Sequence, residues 1–134
     1  MAERWEPVEV QVRDGPLDGA RVDSWRPEGA GAVVVFEGIV RSEEDGRPIE
    51  GLEYEAYEPM AGRQMERICR ELIDRYGLIA MRVAHSRGLV PVGACSFRLW
   101  VASAHRKEAL QAMDAFIDML KQDVPIWKRA VRVG

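Results

Sequence analysis

An α+β, two-layer domain is the fold this sequence predicts, on three observations. Apolar residues alternate with a period of two in several short segments, and two longer segments carry a period near 3.6. Breaks rich in Gly, Pro and Asp separate them. Strands and helices mix in a β-β-α-β-β-α-β order, which suits a mixed or antiparallel sheet covered by two main helices.

Val8, Val10 and Val12 alternate as a first strand, and Asp14 to Gly31 reads mostly as loop. Ala32 to Val40 is almost continuously apolar, as expected of a central strand covered on both faces. Glu44-Asp45-Gly46 signals a turn, after which Leu52, Tyr54 and Ala56 alternate, so a hairpin partner is expected there. Pro59 starts a helix; Ala61, Met65, Ile68, Cys69, Leu72, Ile73 and Tyr76 follow at helical spacing, and Gly77 ends it. Ile79, Met81 and Val83 form another strand. Val90-Pro91-Val92-Gly93 then turns the chain into Cys95, Phe97, Leu99 and Val101. A second helix is expected from about Ser103 to Gln122, with Ala109, Leu110, Met113, Phe116, Ile117 and Leu120 as its apolar stripe. Arg129 to Val133 closes as a short strand.

The 134 residues, 1–134, have the size of one domain. Such a chain buries about two thirds of its unfolded surface. A formal charge of −3 argues against a nucleic-acid partner, which demands a net basic face. The first residues, Met1-Ala2-Glu3-Arg4-Trp5-Glu6, lack the apolar stretch of a signal peptide, so none is expected. The longest apolar run, Ala32 to Phe36, is too short to span a membrane. Cys69 and Cys95 fall on apolar faces with neither a CxxC spacing nor a nearby His, which indicates buried packing in a reducing cytoplasm. His85, in alternation with Met81 and Val83, is expected to be structural. No Ser-His-Asp order, phosphate-cradling glycine loop or clustered metal ligands occur.

The chemistry concentrates near the end. Lys121 and Lys128 flank a turn broken by Pro125, seven positions apart, with the apolar Ile126-Trp127 pair between them. On the helical wheel Lys121 borders the apolar stripe, so its stem can be buried while its amine enters a cleft. Partial desolvation of such an amine favours the neutral form and makes nucleophilic or acid/base work possible. The plainer reading is a snorkelling lysine that complements the helix dipole. At the other end of the helix, Ser103 is the expected N-cap and His105, Arg106 and Lys107 fill the first turn. Cations there oppose the dipole at roughly 0.3–1 kcal/mol each. Free backbone N–H groups, an imidazole and a guanidinium together form a ready anion site, although packed surface cations are the alternative. Arg41 ends the Gly38-Ile39-Val40-Arg41 strand and enters the acidic Ser42-Glu43-Glu44-Asp45 loop, where a surface ion pair is the expected role. Arg106 and Lys121 lie 15 positions, hence about 22 Å, apart along one helix. Either there are two sites, or a symmetric dimer brings one helix start to the other subunit's lysines; the dimer is the preferred expectation.

Gly38-Ile39-Val40-Arg41, Ser103-Ala104-His105-Arg106, and Leu120-Lys121 followed by Pro125-Ile126-Trp127-Lys128-Arg129 together resemble the large, catalytic subunit of molybdopterin synthase. The resemblance runs from about Gly31 to Arg129, with three motifs in register. It implies an α/β-hammerhead fold and a homodimer that binds a small ubiquitin-like sulfur carrier at each end, a heterotetramer. The carrier's C-terminal glycine would bear a thiocarboxylate, and two sulfurs would pass to cyclic pyranopterin monophosphate to form the dithiolene of molybdopterin. The resemblance makes Lys121 the central catalytic residue and Lys128 its assistant. It also implies substrate binding by Ile39, Val40, Arg41, His105, Arg106, Lys121, Lys128 and Arg129, with no metal and no cofactor. Ala130 stands where family members often carry a glutamate, and the chain ends at Gly134 where relatives continue through a segment that serves partner contacts. A reading from another class is a non-catalytic α+β module that binds a phosphorylated metabolite through Arg106. A third is a structural homodimer whose lysines only solvate its surface.

Overall fold

The computed structural model describes residues 6–18 and 24–132. The N-terminal pentapeptide, residues 19–23 of the expected loop, and Val133-Gly134 lie outside them. The strands are β1 (Val8–Asp14), β2 (Ala32–Ile39), β3 (Glu43–Glu44), β4 (Arg47–Ala56), β5 (Ala80–Pro91), β6 (Cys95–Ser103) and β7 (Ile126–Arg132). The helices are α1 (Met60–Tyr76) and α2 (Arg106–Asp123). All seven strands join one mixed sheet in the order β2-β6-β5-β4-β3, with β1 parallel to β5 and β7 antiparallel to β4.

Both helices cover one face. Ala61, Met65, Ile68, Cys69 and Leu72 of α1 meet Ala109, Ala112, Met113 and Phe116 of α2 over Met81, Val83, Leu99 and Val101 of the sheet. The period of 3.6 in the helices and of two in the strands puts these side chains on one shared plane. On the opposite face a smaller cluster packs Leu17, Ala84, Cys95 and Trp100, with Trp25 and Val35 beside it. A third gathers Val40, Ile49, Leu52 and Val90. Burial pushes the Cys69 thiol up to about 12 and raises that of Cys95 as well, so both are packing groups.

The expected α+β class with two main helices holds, and four expectations are corrected. First, β2 is an edge strand: Val33, Phe36 and Ile39 are 36%, 38% and 48% exposed. The fully covered strand is its neighbour β6, paired with β2 on one side and β5 on the other and buried along its length. A run of apolar residues signals burial on two faces. It does not say whether a folded neighbour or a second molecule supplies the cover.

Second, the turn at Asp45 (φ 53°) and Gly46 (φ 74°) joins β4 only to the two-residue β3. The longer partners of β4 are β5 and β7, from distant parts of the sequence. Third, α2 begins at Arg106, because Ser103 is the buried last residue of β6 and His105 takes the N-cap position. The acidic Glu108 therefore falls in the first turn and offsets part of the charge on Arg106 and Lys107. Leu110, assigned to the apolar stripe, is 51% exposed. Fourth, the last strand starts at Ile126, before Arg129, so Trp127 and Lys128 belong to it.

Candidate active site

Pro125 determines the local path of the chain. It cannot continue α2, whose C-cap Val124 is already extended (φ −95°, ψ 127°). The Tyr57 N–H donates to the Pro125 carbonyl at 3.0 Å. The β4–β7 pairing starts at once, with Ala56 opposite Ile126 and Tyr54 opposite Lys128. Lys121, in the last turn of α2, and Lys128, in β7, are thereby brought to the same cleft.

That cleft has a volume of about 340 Å³, and its walls come from six elements. Ile117, Leu120 and Lys121 stand on α2, and Ile126, Trp127 and Lys128 on β7. Phe36 of β2, Tyr54 of β4, His85 of β5, and Ser96 and Phe97 of β6 complete it. The aromatic wall is itself packed. Phe97 lies 6.0 Å from Phe36, 5.8 Å from His85 and 6.1 Å from the buried Phe116, ring centre to ring centre. The Tyr54 hydroxyl donates to Ser96 Oγ at 3.0 Å, and its ring meets His85 edge-on at 5.2 Å. Two ammonium groups above an aromatic pocket suit an anionic head on a flat or extended body.

His85 Nδ1 is 2.7 Å from the Ser86 carbonyl, a contact in which the ring N–H donates. Its Nε2 is then the acceptor edge of a neutral ring, and no partner for it occurs among the described residues. Burial holds this imidazole below its ordinary pKa of 6.5, against a smaller raising effect of the Ser86 carbonyl. Lys128 Nζ lies 3.0 Å from Glu44 Oε1. No ion-pair partner of Lys121 occurs among the described residues.

The other expected site residues do not line this cleft. Arg41 is exposed just beyond β2. Ile39 is also exposed, whereas Val40 is buried with its backbone N–H and carbonyl engaged by Ala94 and Gly93. His105 and Arg106 sit exposed at the start of α2, His105 3.8 Å from Glu108. Arg129 makes a surface pair with Glu53 at 2.6 Å. Sequence reasoning missed Tyr54, Ser96, Phe36 and Phe97, and read His85 only as structural. Alternation placed His85 with Met81 and Val83. That Tyr54 would meet it from β4 depends on a pairing no short-range pattern carries. Among the described residues no group of His, Cys, Asp and Glu is gathered as a metal site would need, and no helix is long and apolar enough to cross a membrane.

The chain resembles proteins of known name over most of its length. It is 42% identical over 126 residues to the "Molybdopterin synthase catalytic subunit" of Oryza sativa subsp. indica, covering 91% of this chain and 65% of that protein. The chain thus spans somewhat under two thirds of that relative. The crystal structure of molybdopterin synthase from Staphylococcus aureus superposes with a TM-score of 0.79 at 31% identity, covering 97% of this chain and 94% of that one. A protein–protein complex of subunits 1 and 2 of molybdopterin-converting factor from Helicobacter pylori 26695 gives a TM-score of 0.71 at 29% identity, covering 92% and 89%. The α+β architecture is the one these structures have. Residues 12–123 match the sequence model of the MoaE protein family, and the chain belongs to that family.

Proposed function

We propose that this chain is the sulfur-transferring, catalytic subunit of a molybdopterin synthase. It takes sulfur from the C-terminal thiocarboxylate of a small ubiquitin-like carrier and delivers it to cyclic pyranopterin monophosphate, forming the dithiolene. One observation carries the reading: in a MoaE-family chain, Lys121 and Lys128 meet across the Pro125 break at an aromatic cleft of about 340 Å³. The Helicobacter pylori complex of two subunits supports a protein partner. A carrier tail is extended and ends in an anion, which matches a narrow apolar cleft with cations at its edge.

Within the cleft, the Lys121 ammonium either polarises the thiocarboxylate carbonyl as sulfur leaves or donates a proton to the departing group. Lys128 supplies a second fixed charge. Arg41, His105 and Arg106 hold the substrate's phosphate and pterin. Since α2 keeps Arg106 about 22 Å from Lys121 along its axis, His105 and Arg106 come from a second copy in a homodimer. The exposed apolar edge of β2 supports such a copy. The reaction takes place in the cytoplasm, in one domain spanning the chain.

Lys121→Ala tests the proposal. With thiocarboxylated carrier and cyclic pterin phosphate, turnover is expected to drop by about 10²–10⁴ while the fold is retained. Undiminished turnover removes Lys121 from the chemistry and transfers support to a binding module.

A further inference from the structure

We propose that Glu44 is a positioning residue for Lys128: its carboxylate clamps the ammonium at the cleft and leaves Lys121 as the amine free to engage the reacting atoms. The activity part of this inference rests on the proposed sulfur transfer; the clamp itself does not.

The hairpin tip is built for the purpose. Asp45 and Gly46 both take left-handed backbone conformations (φ 53° and 74°), so the chain reverses in two residues and puts Glu44 opposite Arg47. Strand β3 has only two residues and contributes nothing apolar to the core. Yet the Glu44 side chain is only 20% exposed. A carboxylate so far withdrawn from water needs a cation, and Lys128 Nζ answers it at 3.0 Å. The pair ties β3 to β7, both partners of β4, whose Tyr54 lies opposite Lys128.

Charge makes the arrangement specific. Glu43, Glu44 and Asp45 form an acidic run beside a cleft that is to receive anions, and unneutralised it would repel them. Of the three, Glu44 alone has an ion-pair partner among the described residues. The two lysines are therefore unlike: Lys128 is held before substrate arrives, and Lys121 has no ion-pair partner among the described residues.

The test compares Glu44→Gln with Glu43→Gln, the same loss of charge one residue away, and with the conservative Glu44→Asp. In spectra of the lysine ammonium groups, water exchange of the Lys128 Nζ protons is expected to be about two- to fivefold faster in Glu44→Gln, the scale of a half-exposed ion pair. Glu43→Gln should match the wild type and Glu44→Asp should fall between. In the sulfur-transfer assay Glu44→Gln lowers kcat by about two- to fivefold without raising KM for the pterin phosphate. In a Lys128→Met background the same substitution adds nothing. Unchanged exchange in Glu44→Gln, or a kcat loss that persists in Lys128→Met, overturns the proposal. The exchange measurement needs no substrate, so it decides the clamp even if the chain fails to transfer sulfur.

Discussion

His85 shows how a single side chain reports on its surroundings. Its ring is buried between Tyr54 and Phe97, and that desolvation holds its pKa below 6.5 despite the Ser86 carbonyl on Nδ1. The unfolded chain thus binds a proton at this residue more readily than the folded one. The corresponding stability is fully present above pH 6.5 and is lost as pH falls from 6.5 towards the folded-state value. Urea midpoints measured from pH 8 down to pH 5 are expected to fall below 6.5, and His85→Phe should flatten that slope. An equal slope in the variant would assign it to other groups.

At the scale of elements, the cleft depends on how β4 sits between β5 and β7. Gly51 occupies the tightest point of that arrangement. A Cβ there would stand 2.7 Å from the Val90 carbonyl oxygen and 3.2 Å from the Pro91 Cα, both backbone atoms that cannot turn aside. Gly51→Ala is expected to destabilise the fold by about 1–3 kcal/mol through overpacking. Because Tyr54 follows three residues later and pairs with Lys128, turnover should fall as well. Equilibrium denaturation checks the first effect and the carrier assay the second. A melting curve equal to the wild type would mean that the strands separate without strain.

At the scale of the whole molecule, β2 is an apolar edge that no second strand covers among the described residues. Val33 and Ile39 are exposed apolar residues on β2, the terminal strand of the sheet, and natural sheets seldom leave such an edge uncovered. Sedimentation is expected to give twice the 15.1 kDa of one chain. The paired substitutions Val33→Lys and Ile39→Lys should yield a folded monomer. A wild-type monomer at micromolar concentration would remove the second copy from the proposed site.

Residues close in sequence decided what could be read without coordinates. The 3.6 periodicity of α1, its Gly77 stop (φ 65°) and the alternation of β5 and β6 follow from backbone geometry acting over a few residues. The Lys121–Pro125–Lys128 turn is equally local, and it was legible for that reason. Strand order was not, because hydrogen bonding between strands is indifferent to how far apart they lie in the chain. Only the tertiary structure placed β2 at the edge, set Tyr54 and His85 against the lysines, and brought Glu44 to Lys128. Those contacts depend on registers between distant segments, chosen by the packing of the whole core.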